Sequence, residues 1–352
     1  MRAGVCGRCC VVNAEFRPAA EVAGGFHAEV IAPLVGEIDY AAGLLGWGSD
    51  VLGYDTERSM DHGWGPRVVV LVDAGEVERV RKAVDDGLPD EYAGYPVRFG
   101  WDSYEPRHHV TVTTVGDWLR GQLGFDASQG IGIDDWLVTP QQQLLGVVAG
   151  RVYADDGRLA PVRNALAWYP DQIWRWTLAC QWSRIAQEEA FVQRTHEVGD
   201  ELGSQVVAAR LVRDLMRLAL LQARTYAPYS KWLGTAFARL GHSDGLDVAL
   251  AGAVAAESYA DREQALVTAY ELVARRHNAL GITDELDPAP RPYFDRPAQV
   301  LGAERFADAC LATVSDPQLK SYGLIGSIDQ SVDNTDVLSN PAAFRKLVSV
   351  YR

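Results

Sequence analysis

A Gly-Ser turn, a short spacer, an aspartate and then an apolar strand is the most restrictive feature of this chain. Between Trp47 and Val72 it reads WGSDVLGYDTERSMDHGWGPRVVVLV, with eleven residues separating Ser49 from Asp61. The run Val68, Val69, Val70, Leu71, Val72 is too short for a core helix and rich in β-branched residues, so it predicts a buried strand. Gly43, Gly46, Gly48 and Gly53 predict a turn-rich approach to that strand. A turn such as Gly48-Ser49 lets backbone N–H groups and a hydroxyl come close to phosphate oxygens without a Cβ in the way.

The pattern around this segment is that of a small mixed sheet flanked by helices. Apolar residues recur at three and four between Ala19 and Tyr40, which predicts a helix leading into the turn. Residues 76–88 predict a second helix, 95–101 and 109–115 two more strands, and 117–123 another helix, so that the sheet ends near residue 125. From about Trp136 the periodicity becomes helical throughout, over 136–149, 171–194, 200–226, 230–240, 246–256, 261–278 and 298–314, the pattern of a bundle. The Pro-rich stretch 287–297 predicts an extended connector. The expected organisation is α+β: a flexible N-terminal segment over 1–18, an α/β domain over 19–125 and a helical domain over 126–352.

The bulk properties narrow the function. A chain of 352 residues with 48% hydrophobic content buries a substantial core. The formal charge of −14 argues against a nucleic-acid groove, which needs clustered Lys and Arg, and favours a small or cationic substrate. No apolar run is long enough to cross a bilayer, and the N-terminus has no apolar stretch of signal-peptide length, so the expected location is the cytoplasm with no membrane partner. Five cysteines do not describe a disulfide framework, and Cys6, Cys9 and Cys10 lack a second ligand pair for a zinc site.

The order of turn, aspartate and strand resembles the active-site signature of the polymerase-β-like nucleotidyltransferases. The segments GSDVLGYDTERSMDHGWGPR, DWLVTPQQQLLGVVAGRVYADDGRL, QWSRIAQEEAFVQRTHEVGDELGSQVVAARLVRDLMRL and YAPYSKWLGTAF resemble a bacterial family of nucleotidyltransferase-like proteins, over roughly residues 26 to 320. The resemblance implies a nucleotidyltransferase domain followed by a helical domain, similar to the aminoglycoside and lincosamide nucleotidyltransferases. It implies Mg²⁺ and a nucleoside triphosphate donor, with a hydroxyl of a small molecule as acceptor. The chain departs from the signature in one place: the triplet is Asp61-His62-Gly63, so the second carboxylate is missing, and the later strand HVTVTTV has no acid in it. Asp73, Asp102 and Asp117 flank the strands and are the candidates to complete the metal site beside Asp61.

In the helical half, Arg210, Arg213 and Arg217 share one helix face and are candidates for triphosphate contacts, because guanidinium groups bind phosphate oxygens bidentately. A solvated or salt-bridged face is the alternative. The stretch Tyr226 to Trp232 predicts a Pro-set turn that presents Tyr229, Ser230 and Lys231, with Lys231 as the leading cation; the alternative is that the aromatics anchor the turn while Lys231 reaches solvent. The resemblance implies a glutamate of the helical domain as general base, and Glu189 and Glu201 are the candidates. Trp174, Trp176 and Trp182 are expected in the core, and His108 and His109, adjacent in a strand, point to opposite faces. The expected activity is Mg²⁺-dependent transfer of a nucleoside monophosphate onto a hydroxyl. The alternative is a nucleotide-binding or regulatory protein that keeps the fold and has lost the chemistry.

Overall fold

The computed structural model describes residues 15–61, 63–100 and 105–352, with Asp61 described in its backbone only. The expected flexible segment over 1–18 and the Cys6, Cys9, Cys10 cluster therefore lie largely outside the described residues, as does Asp102. The chain is of mixed helix and sheet and divides into two compact units, one made of residues 1–131 and 143–167, the other of 132–142 and 168–352. The division is thus not a single cut after 125: residues 143–167 return to the first unit.

The first unit starts with helix α1 (Ala19–Phe26), which continues through a π-helical turn (His27–Ile31) into α2 (Ala32–Val35) and stops at Gly36, whose φ of 78° breaks the helix five residues before the first strand. Strand β1 (Ala41–Gly43) leads into the Gly48-Ser49 turn, and a 3-10 turn (Glu57–Asp61) precedes β2 (Arg67–Leu71). Helix α3 (Val77–Gly87) follows, then a small hairpin of β3 (Glu91–Tyr92) and β4 (Tyr95–Pro96), the short β5 (Arg98–Phe99), β6 (Arg107–Thr113) and α4 (Val115–Leu123). The predicted strand over 95–101 is thus broken into short pieces, with Gly94 at φ 85° setting the hairpin.

The five-stranded sheet has the order β5-β6-β2-β1-β7, where β7 (Val152–Ala154) lies well beyond the predicted end of the sheet near 125. Three residues are too few to show an alternating pattern, and β7 is specified by pairing: it runs antiparallel to β1 and closes that edge. β1 and β2 are antiparallel, and β2 and β6 are parallel with Arg67 opposite His109. The period of two then sorts side chains by face. Val68, Val70, Val110 and Val112 turn to one side and form a core with Phe26, Ile31, Val80 and Val84 from the helices. Arg67 and Val69 turn to the other side with their register partners His109 and Thr111.

The segment after β1 is packed too closely for side chains. A Cβ on Gly150 would lie 1.9 Å from the carbonyl oxygen of Leu44, and one on Gly146 would lie 2.6 Å from that of Gly46. Gly146 belongs to α6 (Gln141–Val148), which is separated from α5 (Ile133–Val138) by Thr139 and Pro140, so the predicted helix over 136–149 is two helices. Helix α7 (Ala160–Ala165) completes this unit.

The second unit is helical. Helix α8 (Asp171–Glu188) is buried on all sides, with Trp174, Trp176 and Trp182 in the core as expected. Each indole donates a hydrogen bond, Trp174 to the carbonyl of Leu221 at 2.8 Å, Trp176 to that of Gly323 at 3.0 Å and Trp182 to His277 Nδ1 at 3.2 Å. Around it lie α9 (Phe191–Glu197), α10 (Glu201–Gln222), α11 (Ser230–Arg239), α12 (Leu246–Ala255), α13 (Tyr259–Ala279) and α14 (Glu304–Ala312). The Pro-rich stretch contributes the first strand of a two-stranded hairpin, Arg291–Pro292 with Gln299–Val300. Among the described residues no helix is long and apolar enough to cross a membrane.

Glu189 locks the end of α8 to the start of α14. Its carboxylate accepts N–H donations from Leu301 (2.8 Å), Gly302 (3.2 Å) and Ala303 (3.0 Å), the last of these being the residue that caps α14. Burial pushes its pKa up to about 7, and the three backbone donors oppose that rise without cancelling it. The folded state therefore holds this proton more tightly than the unfolded chain, so the residue's contribution to stability is full below its ordinary value of 4.5 and is lost as pH rises through about 7. The expected outcome is that urea midpoints fall across that window in the wild type and fall less in Glu189→Gln, a difference of a few kcal/mol in slope-derived stability. Parallel curves for the two proteins would show that Glu189 titrates normally in the fold.

Candidate functional site

One end of the sheet gathers the residues that carry chemistry in the first unit. β1 leaves the sheet there at Gly43, while β2, β6 and β7 enter it near Arg67, His109 and Val152. The Gly48-Ser49 turn therefore sits above the head of β2, as the order of the motif predicts.

The turn is held by a buried ion pair. Arg67 Nε donates to Asp50 Oδ2 at 2.8 Å and Arg67 Nη2 to Asp50 Oδ1 at 2.7 Å, with both side chains about 6% exposed. The same Nη2 donates to the carbonyl of Trp47, and the guanidinium carbon lies 4.4 Å from the centre of the Trp47 ring. One arginine thus binds the residues on both sides of Gly48-Ser49. Gly48 has φ 112°, and a Cβ there would lie 2.1 Å from Asp50 Oδ1, so the position requires glycine on both counts. Ser49 is half-buried, and its carbonyl accepts from Tyr54 N at 2.8 Å. Asp55 ties the following segment down by accepting from Trp64 Nε1 at 3.0 Å and from Ala19 N at 2.7 Å.

Trp47 is 49% exposed and faces the edge of His109, 6.3 Å away. His109 donates to the carbonyl of Phe99 at 3.0 Å and packs against its ring at 4.2 Å. Burial lowers the His109 pKa, the Phe99 carbonyl opposes that, and the nearby positive Arg107 and Arg67 lower it further, so the imidazole is neutral at pH 7. His108, on the opposite face as predicted, pairs with Asp85 at 2.9 Å.

Of the sequence-derived metal ligands, Asp73 and Asp117 are described and stand apart. Asp73 follows the far end of β2, six residues and hence about 20 Å from Arg67 along the strand, and its carboxylate pairs there with Arg158 at 3.2 Å. Asp117 caps α4 with Thr114 and pairs with Arg120 at 2.7 Å. Asp50 stands beside the turn, but both its oxygens are committed to Arg67. Among the described residues no three His, Cys, Asp or Glu side chains converge on a point where a metal ion would sit. Asp61 ends the 3-10 turn ahead of β2 with its side chain outside the described set, and Asp102 lies outside it altogether.

In the second unit most of the predicted polar residues serve the fold. Glu201 pairs with the fully buried Arg262 and with His196 at 3.0 Å. Arg210 pairs with Glu188 at 2.8 Å, Arg213 with Asp333 at 3.5 Å, and Arg217 donates to the carbonyl of Asp329, so the arginine face is a salt-bridged one. The 226–232 turn is different. Gln141 and Gln142 accept from the backbone N–H of Ala227 (2.6 Å) and Tyr229 (3.1 Å), fixing its path. Tyr229 precedes α11, its hydroxyl accepts from Trp232 Nε1 at 2.9 Å, and the exposed Lys231 ammonium lies 5.0 Å from the Trp232 ring. Lys231 is therefore presented to solvent on an aromatic surface, whereas the arginines named with it are held by Glu188, Asp333 and the Asp329 carbonyl.

The Asp50–Arg67 pair, Trp47 and His109 were not singled out as site residues by the sequence reading. The one available signal was Arg67 itself, a charged residue heading an otherwise apolar strand. Removing one partner of a buried pair leaves the other charge unpaired, so Arg67→Met is expected to cost about 3–5 kcal/mol, with much of it recovered in Arg67→Met with Asp50→Leu. Chemical denaturation of the three proteins checks this, and a loss under about 1 kcal/mol for the single variant would mean that the turn is held by other contacts.

Comparison with known proteins adds two similarities. Residues 136–233 match a family model described as a domain of unknown function (DUF4037), a span that runs from α5 to the start of α11 and takes in Glu189, Glu201, Arg213, Tyr229 and Lys231. None of the curated proteins matches the chain. The chain is also similar to the crystal structure of a nucleotidyltransferase-like protein from Exiguobacterium sibiricum, at 10% identity and a TM-score of 0.36, over 86% of this chain and 91% of that one.

Proposed function

We propose that the chain binds a nucleoside triphosphate at the Gly48-Ser49 turn and transfers its nucleoside monophosphate to a hydroxyl of a small molecule. The observation that carries this reading is the geometry of Gly48: a left-handed residue with no room for a Cβ, at the end of a sheet, buttressed from beneath by a buried bidentate ion pair. Such a turn exposes backbone N–H groups in a fixed arrangement, which is what phosphate oxygens need and what a mobile loop does not supply. The Ser49 hydroxyl adds a further donor. The spacing from this turn to Asp61 and on to β2 supports transfer chemistry, since in nucleotidyl transfer the protein's work is to position phosphates and neutralise their charge.

Mg²⁺, when bound, would neutralise charge on the triphosphate. Of the carboxylates expected to hold it, Asp73 does not fit, because it is at the wrong end of β2 and paired with Arg158. Asp61 is the residue on which the metal reading rests. The second reading, a protein that binds nucleotide without transfer, draws its support from the face of β2 and β6 beside the turn, which carries Arg67, His109 and Thr111 and no acid.

One set of measurements separates the two. A thermal-shift series with ATP, GTP, CTP and UTP, each with and without Mg²⁺, is expected to show a Mg²⁺-dependent rise with at least one of them, of about 2.7 kcal/mol in native-state stability at a hundredfold excess over the dissociation constant. Pyrophosphate release is expected in the wild type and absent in Asp61→Ala, with an unchanged melt for that variant. Binding without pyrophosphate release would select the second reading, and no shift with any nucleotide would remove both.

A further inference from the structure

The first unit also contains a groove that the turn does not account for. Two adjoining depressions of about 630 and 600 Å³ share Ala20, Arg151 and Val152 in their walls. Each falls within the range of about 300–1,000 Å³ that small-molecule sites occupy. Asp50 and Gly53, from the loop that follows the Gly48-Ser49 turn, form part of the wall, and β7 enters the sheet at the same end at which β1 leaves it. The groove therefore opens beside the turn.

Its lining is much less acidic than the chain as a whole. The net charge of the protein is −14, yet the groove is lined by Arg17, Arg151 and Arg163. It also carries three acids, one of which is neutralised by an arginine. Asp50 has both oxygens on Arg67, and Asp155 accepts from the backbone N–H groups of Gly157 (3.0 Å), Leu159 (3.1 Å) and Ala160 (2.8 Å). Glu21, exposed on α1, is the third. Arg163 is half-buried and donates to the carbonyls of Gly150 (2.8 Å) and Val148 (2.6 Å), which fixes the floor. No hydrogen bond or ion pair among the described residues engages the exposed guanidinium groups of Arg17 and Arg151. Guanidinium groups without a partner among the described residues, over an immobilised floor, with Val51, Leu52 and Ala149 supplying apolar wall, suit a carbon skeleton that ends in an oxyanion.

The geometry points to this groove as the acceptor site, and to the acceptor as a small molecule that carries a carboxylate or phosphate group held by Arg17 and Arg151. The assignment rests on the transfer reading for the word acceptor, while the anion preference stands on the groove alone. It replaces the expectation of a cationic substrate drawn from net charge, because a ligand meets the local lining and the whole-chain charge acts on it only through screened, longer-range forces.

The test uses the full chain, with inorganic phosphate, succinate and spermidine as probes at constant ionic strength and with no nucleotide present. Phosphate or succinate is expected to raise the melting temperature and spermidine to leave it unchanged. Arg151→Glu and Arg17→Glu, both at exposed positions, are expected to keep the wild-type melt in the absence of ligand and to weaken the anion's apparent affinity about tenfold or more, the loss that follows from one charge-assisted hydrogen bond. No shift with either anion, a shift with spermidine instead, or anion shifts that survive both variants would overturn the proposal. The same variants titrated with ATP and Mg²⁺ distinguish acceptor from donor: retained nucleotide binding supports the acceptor assignment, and nucleotide binding lost with Arg151 overturns it by giving the groove to the donor's phosphates. Pyrophosphate release is scored separately, so a protein that binds the anion and shows no transfer would retain the groove and lose the function proposed above.

Discussion

The pairing of Arg67 with Asp50 organises the end of the sheet at which the candidate site of the first unit stands. A guanidinium group at the head of β2 reaches back over the sheet end, takes both oxygens of Asp50, takes the carbonyl of Trp47, and lies against the Trp47 ring. Any one of these contacts would be modest. Together they fix the residues before and after Gly48-Ser49 relative to the strand, and they do so from inside, leaving the outer side of the turn open. Two charges at this depth are costly to desolvate, and hydrophobic residues of similar volume would often hold a fold as well or better. What an apolar pair would not supply is direction: five donors in a planar fork specify where the carboxylate and the carbonyl must be. The packing of glycines against Leu44 and Gly46 has the same effect on the preceding segment, since neither chain can shift without a collision.

The parts of this architecture that were legible in the sequence are those with a strong period or a strong local cause. β2 could be read from five consecutive apolar residues, α3 from its amphipathic spacing, and the core placement of Trp174, Trp176 and Trp182 from their large apolar side chains in a helical segment. β7 was not legible, because three residues carry no period and their strand state comes from pairing with β1. The break between α5 and α6 is marked by Pro140, against the continuous helical spacing on either side of it. The π-helical turn at His27–Ile31 has no sequence signature at all. There His27 is buried against Tyr40 and Tyr153, accommodated by the extra residue in the turn.

The site was legible in its backbone and not in its side chains. Glycine at 48 and the order of turn, aspartate and strand are statements about backbone path, and the fold follows them. Which carboxylates and guanidinium groups remain available is a question of partners, and partners are set by residues far away in sequence. Asp73 and Arg158 are 85 positions apart, and Glu189 and Ala303 are 114 apart. A sequence places Glu189, Glu201, Arg210, Arg213 and Arg217 on helices with some confidence about the face. It does not say that Glu189 will close a gap between α8 and α14 or that Arg262 will be buried against Glu201.

Net charge behaves in the same way. A total of −14 is an average over a surface, and the charges that matter to a bound molecule are those within a Debye length of it, about 8–10 Å at ordinary salt. In the groove beside the turn three carboxylates stand among four guanidinium groups, Arg67 included, and Arg17 and Arg151 have no ion-pair partner among the described residues. The local field is therefore positive inside a negative molecule. For an anionic ligand this separates two effects that are usually aligned. The approach through solvent is slowed by the overall charge, and the bound state is stabilised by the nearby guanidinium groups. Raising the salt concentration then weakens both, so association and dissociation would each quicken, and equilibrium affinity alone would understate how strongly the groove is polarised.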